Sequence, residues 1–273
     1  MTDFTQPYPP ELEASLWRLY RAFFDQSERT RRWSVAEDIA WEECNKGLDP
    51  AIADVVESFC VVELYLPDYL ASAVNRSRAS RAQTWFYANW GYEESKHSLA
   101  LGDWLLKSGA RSEERMADLA NHVFANAWQV PHDSHVAMIA YAMVQERATA
   151  LNYRNLRHQV QEHGGDPALE RLLMLLSVDE QTHHKFFRDY MQILLHHDRE
   201  GTLEQMRRVL AGFAMPALYM LADGRQRAAR IKELNIFNEE IYYREVYVPV
   251  LESLGLKRSD LRDRSTIKKS APA

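Results

Sequence analysis

Two short stretches of this 273-residue chain carry residue types that hold transition metals: E-E-S-K-H at 93–97 and D-E-Q-T-H-H at 179–184. Each contains a Glu followed three positions later by a His, Glu94 with His97 and Glu180 with His183. Residues i and i+3 share a helix face, so each pair can aim one carboxylate and one imidazole the same way. A single such pair means little in a chain this rich in Glu; the signal lies in what precedes each one. Glu63 sits in F-C-V-V-E-L-Y-L-P, 31 positions before Glu94, and Glu146 sits in A-Y-A-M-V-Q-E-R-A-T-A, 34 positions before Glu180. An unpaired carboxylate in an apolar helical core costs several kcal/mol or takes up a proton, so each needs a compensating partner. Four carboxylates and two imidazoles from four helices are the donor set of a two-metal carboxylate site in a helix bundle. Two divalent cations would offset the buried negative charge.

The elements that must position these groups read as helices. Apolar residues recur at three and four throughout, and alternation bounded by turn residues is hard to find. Leu12, Leu16, Leu19, Tyr20, Phe23 and Phe24 give one apolar face to a helix over 11–24, followed by an Arg-rich joint and a short piece over 35–44. Four long helices are expected next: from Asp49-Pro50 to about 74, from 81 to 106, from 132 or 133 to Gly164-Gly165, and from Asp166-Pro167 to 197. A weaker helix over 112–127 lies between the second and third. At 1.5 Å per residue each long helix spans about 40 Å, which is bundle geometry. Pro67 has no amide hydrogen for the carbonyl of Glu63, so the first of the four should kink at the candidate site. The expected fold is all-α, a ferritin-like four-helix bundle with additional flanking helices, forming a single domain over 1–273. Breaks are expected at Pro216, Gly224 and Pro249, and a flexible polar tail over about 257–273.

Composition narrows the function classes. The net charge of −6 gives no basic surplus for nucleic acid or anionic membrane. Cys44 and Cys60 are the only cysteines and lack C-x-x-C spacing, so buried thiols in a reducing cytoplasm are expected. The N-terminus M-T-D-F-T-Q-P-Y-P-P has no basic segment leading into an apolar run, and no apolar run approaches the ~20 residues that span a bilayer. A cytoplasmic protein without membrane insertion is expected.

The residues around the candidate ligands resemble the soluble acyl-acyl-carrier-protein desaturases, of the plant stearoyl-carrier-protein type with bacterial relatives. The likeness rests on E-L-Y-L-P-D-Y at 63–69, W-G-Y-E-E-S-K-H at 90–97, Q-E-R-A-T at 145–149 with Q-E-H-G at 161–164, D-E-Q-T-H at 179–183, and M-P-A-L-Y-M with D-G-R at 215–220 and 223–225. It covers about 30–230. The resemblance implies that Glu63, Glu94, His97, Glu146, Glu180 and His183 bind two iron ions, with a manganese–iron pair as the other option. It implies a threonine beside the oxygen-binding face at Thr149, a substrate-channel tryptophan at Trp90, and an acid at Asp179 that holds a ligand histidine on the electron path. Trp33, rather than Trp41, is the preferred electron-entry tryptophan.

The same resemblance implies an oxidoreductase of fatty acid metabolism and biosynthesis. Two electrons from a ferredoxin-like donor and dioxygen would introduce a cis double bond into an acyl chain on acyl carrier protein, in a homodimer. Phe86, Trp90, Met138 and Met143 can enclose such a chain or simply pack the core. Arg76, Arg78 and Arg81, or Arg225, Arg227 and Arg230, are candidate landing patches for the acidic carrier. The chain is shorter than the plant enzymes after about residue 230. Rival readings are a hydroxylase or N-oxygenase on a carrier-bound intermediate, and a ferritin-like iron-storage protein. A ribonucleotide reductase radical subunit would need a ligand-adjacent tyrosine in a context that the sequence does not display.

Overall fold

The computed structural model describes residues 8–129, 132, 134–215 and 218–261, and all regular structure among them is helical. Helix α1 (Pro10–Thr30) outruns the expected span because Ser27 is buried and Arg29 and Thr30 continue the hydrogen-bonded turn. The four site-bearing segments follow as α2 (Pro50–Glu63) with α3 (Leu66–Arg76), α4 (Arg81–Lys107), α6 (His135–Glu162) and α7 (Pro167–His197), with α5 (Glu113–Ala125) between α4 and α6. Helices α8 (Arg199–Ala211) and α9 (Gly224–Glu233) flank them. A final helical run comprises Glu239–Ile241, a π-helical turn Tyr242–Tyr247 and Val248–Ser253.

The caps follow from local chemistry. Asp49, Ser80, Ser134 and Asp166 each accept a backbone N–H from the first turn of α2, α4, α6 and α7. His135, capped by Ser134, begins α6 in place of 132 or 133, and Asp133 lies outside the described residues. Asp166 also accepts Trp104 Nε1 at 2.9 Å and the Asn45 amide at 2.9 Å, so one buried carboxylate ties α7 to α4 and to the loop before α2.

Two expectations change. The single helix over 50–74 is two helices, broken at Leu64–Tyr65, because Pro67 sits in the first turn of α3 and the chain reorients beside Glu63. Pro249 does not break its segment: the preceding π-helical turn shifts the hydrogen-bond register at the point where proline lacks a donor. Gly224 does open a new helix, Pro216 lies outside the described residues, and the tail is described only as far as the 3₁₀ turn Arg258–Leu261.

Helices α6 and α7 make the most extensive pairing, α2 packs along α4, and α2 meets α6 only sparsely. Two apolar clusters result. One contains Phe23, Phe86, Trp90, Phe186 and Phe187; the other contains Ile52, Leu101, Trp104, Tyr153 and Leu172. Each such side chain contributes roughly 1.5–3 kcal/mol on burial. The two Glu-x-x-His pairs sit where the clusters meet, with Phe23 and Trp90 against the His183 ring and Tyr153 against the His97 ring. No described helix is long and apolar enough to cross a membrane.

Candidate metal centre

All six candidate ligands are buried and converge. Glu63, Glu94, His97 and Glu180 form one group, and Glu94, Glu146, Glu180 and His183 form a second. Within each group, one ligating atom per residue lies within 4.8 Å of the others. Glu94 and Glu180 belong to both groups. Glu63 and Glu146 each serve one.

The two histidines show what the set lacks. His183 Nε2 lies 2.7 Å from Glu93 Oε2, and His97 Nε2 lies 3.5 Å from Asp179 Oδ2, which places the ring protons on Nε2. The remaining lone pair, on Nδ1, then faces carboxylate oxygens. His183 Nδ1 is 2.9 Å from Glu94 Oε1 and 3.5 Å from Glu146 Oε2; His97 Nδ1 is 3.3 Å from Glu180 Oε1 and 3.5 Å from Glu94 Oε2. Neither Nδ1, nor Glu94 Oε1, has an aligned hydrogen-bond partner. Lone pairs facing lone pairs in a dry core need a shared proton or a metal cation between them.

Protonation tells the same story. Burial, with the Glu94 and Glu180 carboxylates nearby, pushes Glu63 up to about 8, and burial with Glu180 pushes Glu146 well above the carboxylate range. Burial opposes protonation of His97 and His183, yet the surrounding acids overcome it and push both well up. Left to its own side chains, the centre is short of positive charge. Two divalent cations fit this donor set.

Asp179 and Glu93, the residues just before Glu180 and Glu94, each brace the histidine of the opposite helix. Burial raises and hydrogen bonding lowers their pKa values. The bonds and charges of the histidines and Arg31 win, holding Glu93 down at about 2 and Asp179 below its usual range. Arg31 links the pair, reaching Asp179 Oδ1 at 2.5 Å and Glu93 Oε1 at 2.8 Å, while Arg32 adds a second contact to Glu93. Trp33 Nε1 donates to Asp179 Oδ2 at 2.8 Å, so Trp33, Asp179 and His97 form a continuous hydrogen-bonded chain. Trp41 instead donates to the Val35 carbonyl. Outer partners of this kind orient ligand histidines.

Thr149 faces a cavity of about 460 Å³ lying between α2, α6 and the segment 213–242. Its hydroxyl donates to the Gln145 carbonyl of its own helix at 3.1 Å. The cavity also touches Glu63, and its walls include Phe59, Val62, Phe213, Leu218 and Ile231. Trp90 lies elsewhere, on a much smaller cavity of about 30 Å³ shared with Glu146 and Met138. Phe86 and Met143 are packed core. Of the candidate landing residues, Arg227 is not available: it is buried against Glu57, Ser58 and Asp223.

Glu93, Arg31 and Tyr153 were not singled out in the sequence. Glu93 had a signal, since it precedes Glu94 as Asp179 precedes Glu180. Tyr153 lies seven residues after Glu146, on the same face, and its hydroxyl donates to Glu63 Oε1 at 2.5 Å. Arg31 had none, because its partners lie 62 and 148 positions away.

A sequence profile described as fatty acid desaturase matches residues 27–271. The chain belongs to the fatty acid desaturase family. DesA1 of Mycobacterium tuberculosis, named as an acyl-[acyl-carrier-protein] desaturase, is 24% identical over 216 residues, covering 74% of this chain and 62% of its own length. Acyl-[acyl-carrier-protein] desaturase 7, chloroplastic, of Oryza sativa is 30% identical over 176 residues, covering 60% of this chain and 43% of its own length. This member of the fatty acid desaturase family therefore spans less than two thirds of these relatives' length. Among solved structures, acyl-ACP desaturase DesA2 of Mycobacterium tuberculosis superposes with a TM-score of 0.67 at 18% identity, over 95% of this chain and 98% of that one. An R2-like ligand-binding oxidase with a Mn/Fe cofactor superposes with a TM-score of 0.60 at 17% identity, over 89% of this chain and 94% of that one. These neighbours establish the ferritin-like fold.

Proposed function

We propose that the chain is a dioxygen-dependent acyl-[acyl-carrier-protein] desaturase. The observation that carries this reading is the apolar cavity of about 460 Å³ that ends on Glu63 and Thr149 at the carboxylate–histidine cluster. Its size lies within the ~300–1,000 Å³ typical of small-molecule sites. Glu63, Glu94, His97, Glu146, Glu180 and His183 would hold two iron ions or a manganese–iron pair. When bound, the metals would supply the redox chemistry by which dioxygen, two electrons and two protons take two hydrogens from adjacent methylenes, leaving a double bond and two water molecules.

The chain's own residues do the rest. Phe59, Val62, Phe213 and Ile231 hold the acyl chain by apolar contact and exclude water. Thr149 carries a hydroxyl at the cavity wall beside the cluster, placed to move a proton once it leaves the Gln145 carbonyl. Trp90 stands instead with Glu146 on the smaller cavity, apart from these walls. Trp33, Asp179 and His97 form the electron route from a ferredoxin-like donor. Lys232 and Glu239, an exposed ion pair at 2.9 Å, stand at the rim of the larger cavity where carrier-bound substrate enters. The carrier's acidic surface would meet arginines at 76, 78 and 81 or at 225 and 230, in the cytoplasm.

The test is mass spectrometry of acyl-carrier thioesters incubated with the iron-loaded full chain, dioxygen, ferredoxin and ferredoxin reductase. Loss of two hydrogens from the acyl chain is expected. Addition of an oxygen atom would make the protein a hydroxylase or N-oxygenase instead. Iron oxidation indifferent to every thioester would make it a storage protein.

A further inference from the structure

Two turns along α7 from His183, a group of polar side chains crosses the apolar interior of the bundle and takes no part in holding metal. Tyr190, His135 and Gln83 are buried and Tyr8 is half-buried. Gln83 Nε2 donates to the Tyr8 hydroxyl at 2.8 Å and lies 2.9 Å from His135 Nε2, and the Tyr190 hydroxyl lies 2.9 Å from the same nitrogen. An amide nitrogen only donates, so His135 Nε2 is the acceptor, its ring proton sits on Nδ1, and Tyr190 O–H donates to it. Burial, aided by the charge of Arg76, pushes the His135 ring down to about 4, and burial pushes the Tyr190 phenol well up. The pair is therefore a neutral phenol hydrogen-bonded to a neutral base. Polar groups set among Leu12, Phe186 and Leu194 cost desolvation that apolar side chains in their place would avoid.

We propose that Tyr190 and His135 form a redox pair that drains unused oxidising equivalents from the metal centre toward the surface. Tyr190 gives one electron to the oxidised metal pair, and its hydroxyl proton passes to His135 Nε2, leaving a neutral phenoxyl radical beside an imidazolium. Loss of an electron makes a phenol a far stronger acid than imidazolium, so the low basicity of His135 does not prevent the transfer. The separation suits it. Two turns of helix put Tyr190 about 10 Å from His183. The rings between them are closely packed: Phe23 lies 6.4 Å from His183 and 5.4 Å from Phe186, which lies 6.2 Å from Tyr190. Electrons tunnel across such a stack, and phenylalanine is too hard to oxidise to retain the hole.

The oxidisable side chains nearer the centre are placed differently. Trp33 donates to Asp179, which braces a ligand histidine, and Tyr153 donates to Glu63, itself a candidate ligand, so both bases are committed to the metal site. Trp90, whose ring lies 6.4 Å from His183, has a buried Nε1 without an acceptor. His135 is independent of the ligands and leads outward. With Gln83 and Tyr8 it lines a cavity of about 240 Å³ that also touches the exposed His197 and Asp198. A small one-electron donor of the enediol class entering there returns an electron to the radical while His135 returns the proton, restoring the phenol. This role rests on the function proposed above only in requiring an oxidant at the metal pair, whatever the substrate.

The test mixes the reduced, iron-loaded full chain with dioxygen, and separately with hydrogen peroxide, without any thioester, and freezes samples at successive times for electron paramagnetic resonance. A tyrosyl signal is expected with either oxidant, narrowed by ring-deuterated tyrosine and absent from Tyr190→Phe at unchanged metal content and circular dichroism. Should that variant misfold, His135→Gln decides the matter: it keeps a hydrogen-bonding side chain but no base, and radical formation should slow roughly 100-fold. A merely structural pair would show neither effect. With no acyl substrate present, the signal is indifferent to whether thioesters are desaturated, which product analysis reads separately. No tyrosyl signal in the parent with either oxidant, a signal that persists in well-folded Tyr190→Phe, or an unchanged rate in His135→Gln would each overturn the proposal.

Discussion

Glu57 and Glu63 lie six residues apart on α2, both almost wholly buried, in opposite electrostatic surroundings. Glu57 receives the guanidinium groups of Arg111, Arg115 at 2.8 Å and Arg227 at 2.6 Å. Burial alone would raise its pKa, but hydrogen bonds from Arg115, Arg227 and Arg111 reverse this and hold it at about 2. Glu63 meets Glu94 and Glu180 instead, with one neutral hydroxyl from Tyr153, and is pushed up to about 8. A buried acid ringed by the protein's own cations is a structural joint, here tying α2 to α9 and to the α4–α5 turn. A buried acid set among other acids is a place for cations from outside.

The sharpest way to break this contrast is to remove a carboxylate common to both groups. Glu180→Ala should take the protein from two bound metal ions per chain to none and abolish thioester oxidation. Glu63→Ala, which touches one group only, should leave one ion. Elemental analysis of the purified variants checks both, and equal metal loss in the two would erase the distinction between shared and unshared ligands.

Next in size is Glu57→Gln, which strands three guanidinium groups around an uncharged amide. A loss of about 3 kcal/mol is expected in urea unfolding of the metal-loaded protein, with metal content unchanged. Metal loss in this variant would show that the joint and the centre are one unit.

Within the centre, the two histidine braces differ, since only Asp179 continues to an indole. Asp179→Asn should lower metal affinity or activity roughly 10–100-fold. Trp33→Phe should keep full metal and slow only the reduction of the oxidised centre, read by stopped-flow absorbance. Unchanged reduction in Trp33→Phe would remove the electron route through this tryptophan.

The smallest effect is a pH dependence of the joint. Glu57 has a folded pKa of about 2 against about 4.5 unfolded, so its contribution is complete above the unfolded value and is lost as pH falls through the folded one. The stability gap between the parent and Glu57→Gln should hold from pH 7 to 5 and shrink by on the order of 2 kcal/mol toward pH 2, after discounting for the half-exposed Arg115. A gap independent of pH would mean that packing, not charge, makes Glu57 costly to replace.

The six candidate ligands were legible because metal ligation on helices imposes a local rule, Glu-x-x-His on one face, and because an acid in an apolar run stands out. The same locality made the caps at Asp49 and Asp166 readable. What escaped depended on distant meetings. The larger cavity has one wall on α2 and α6 and the other on residues of 213–215 and 218–242, so Phe86 and Met143, which the sequence left open between channel lining and core, proved to be core. Arg227 read as a surface charge until α9 docked on Glu57.

Sequence alone determined that four helices would carry four carboxylates and two imidazoles inward, since i, i+3 spacing and apolar surroundings act within one helix. Tertiary structure alone decided which acid braces which histidine, that Glu94 and Glu180 are shared by both groups, and where the larger cavity opens beside them. Those outcomes depend on the rotation and spacing of whole helices, set by how two apolar clusters pack and not by any one stretch of chain.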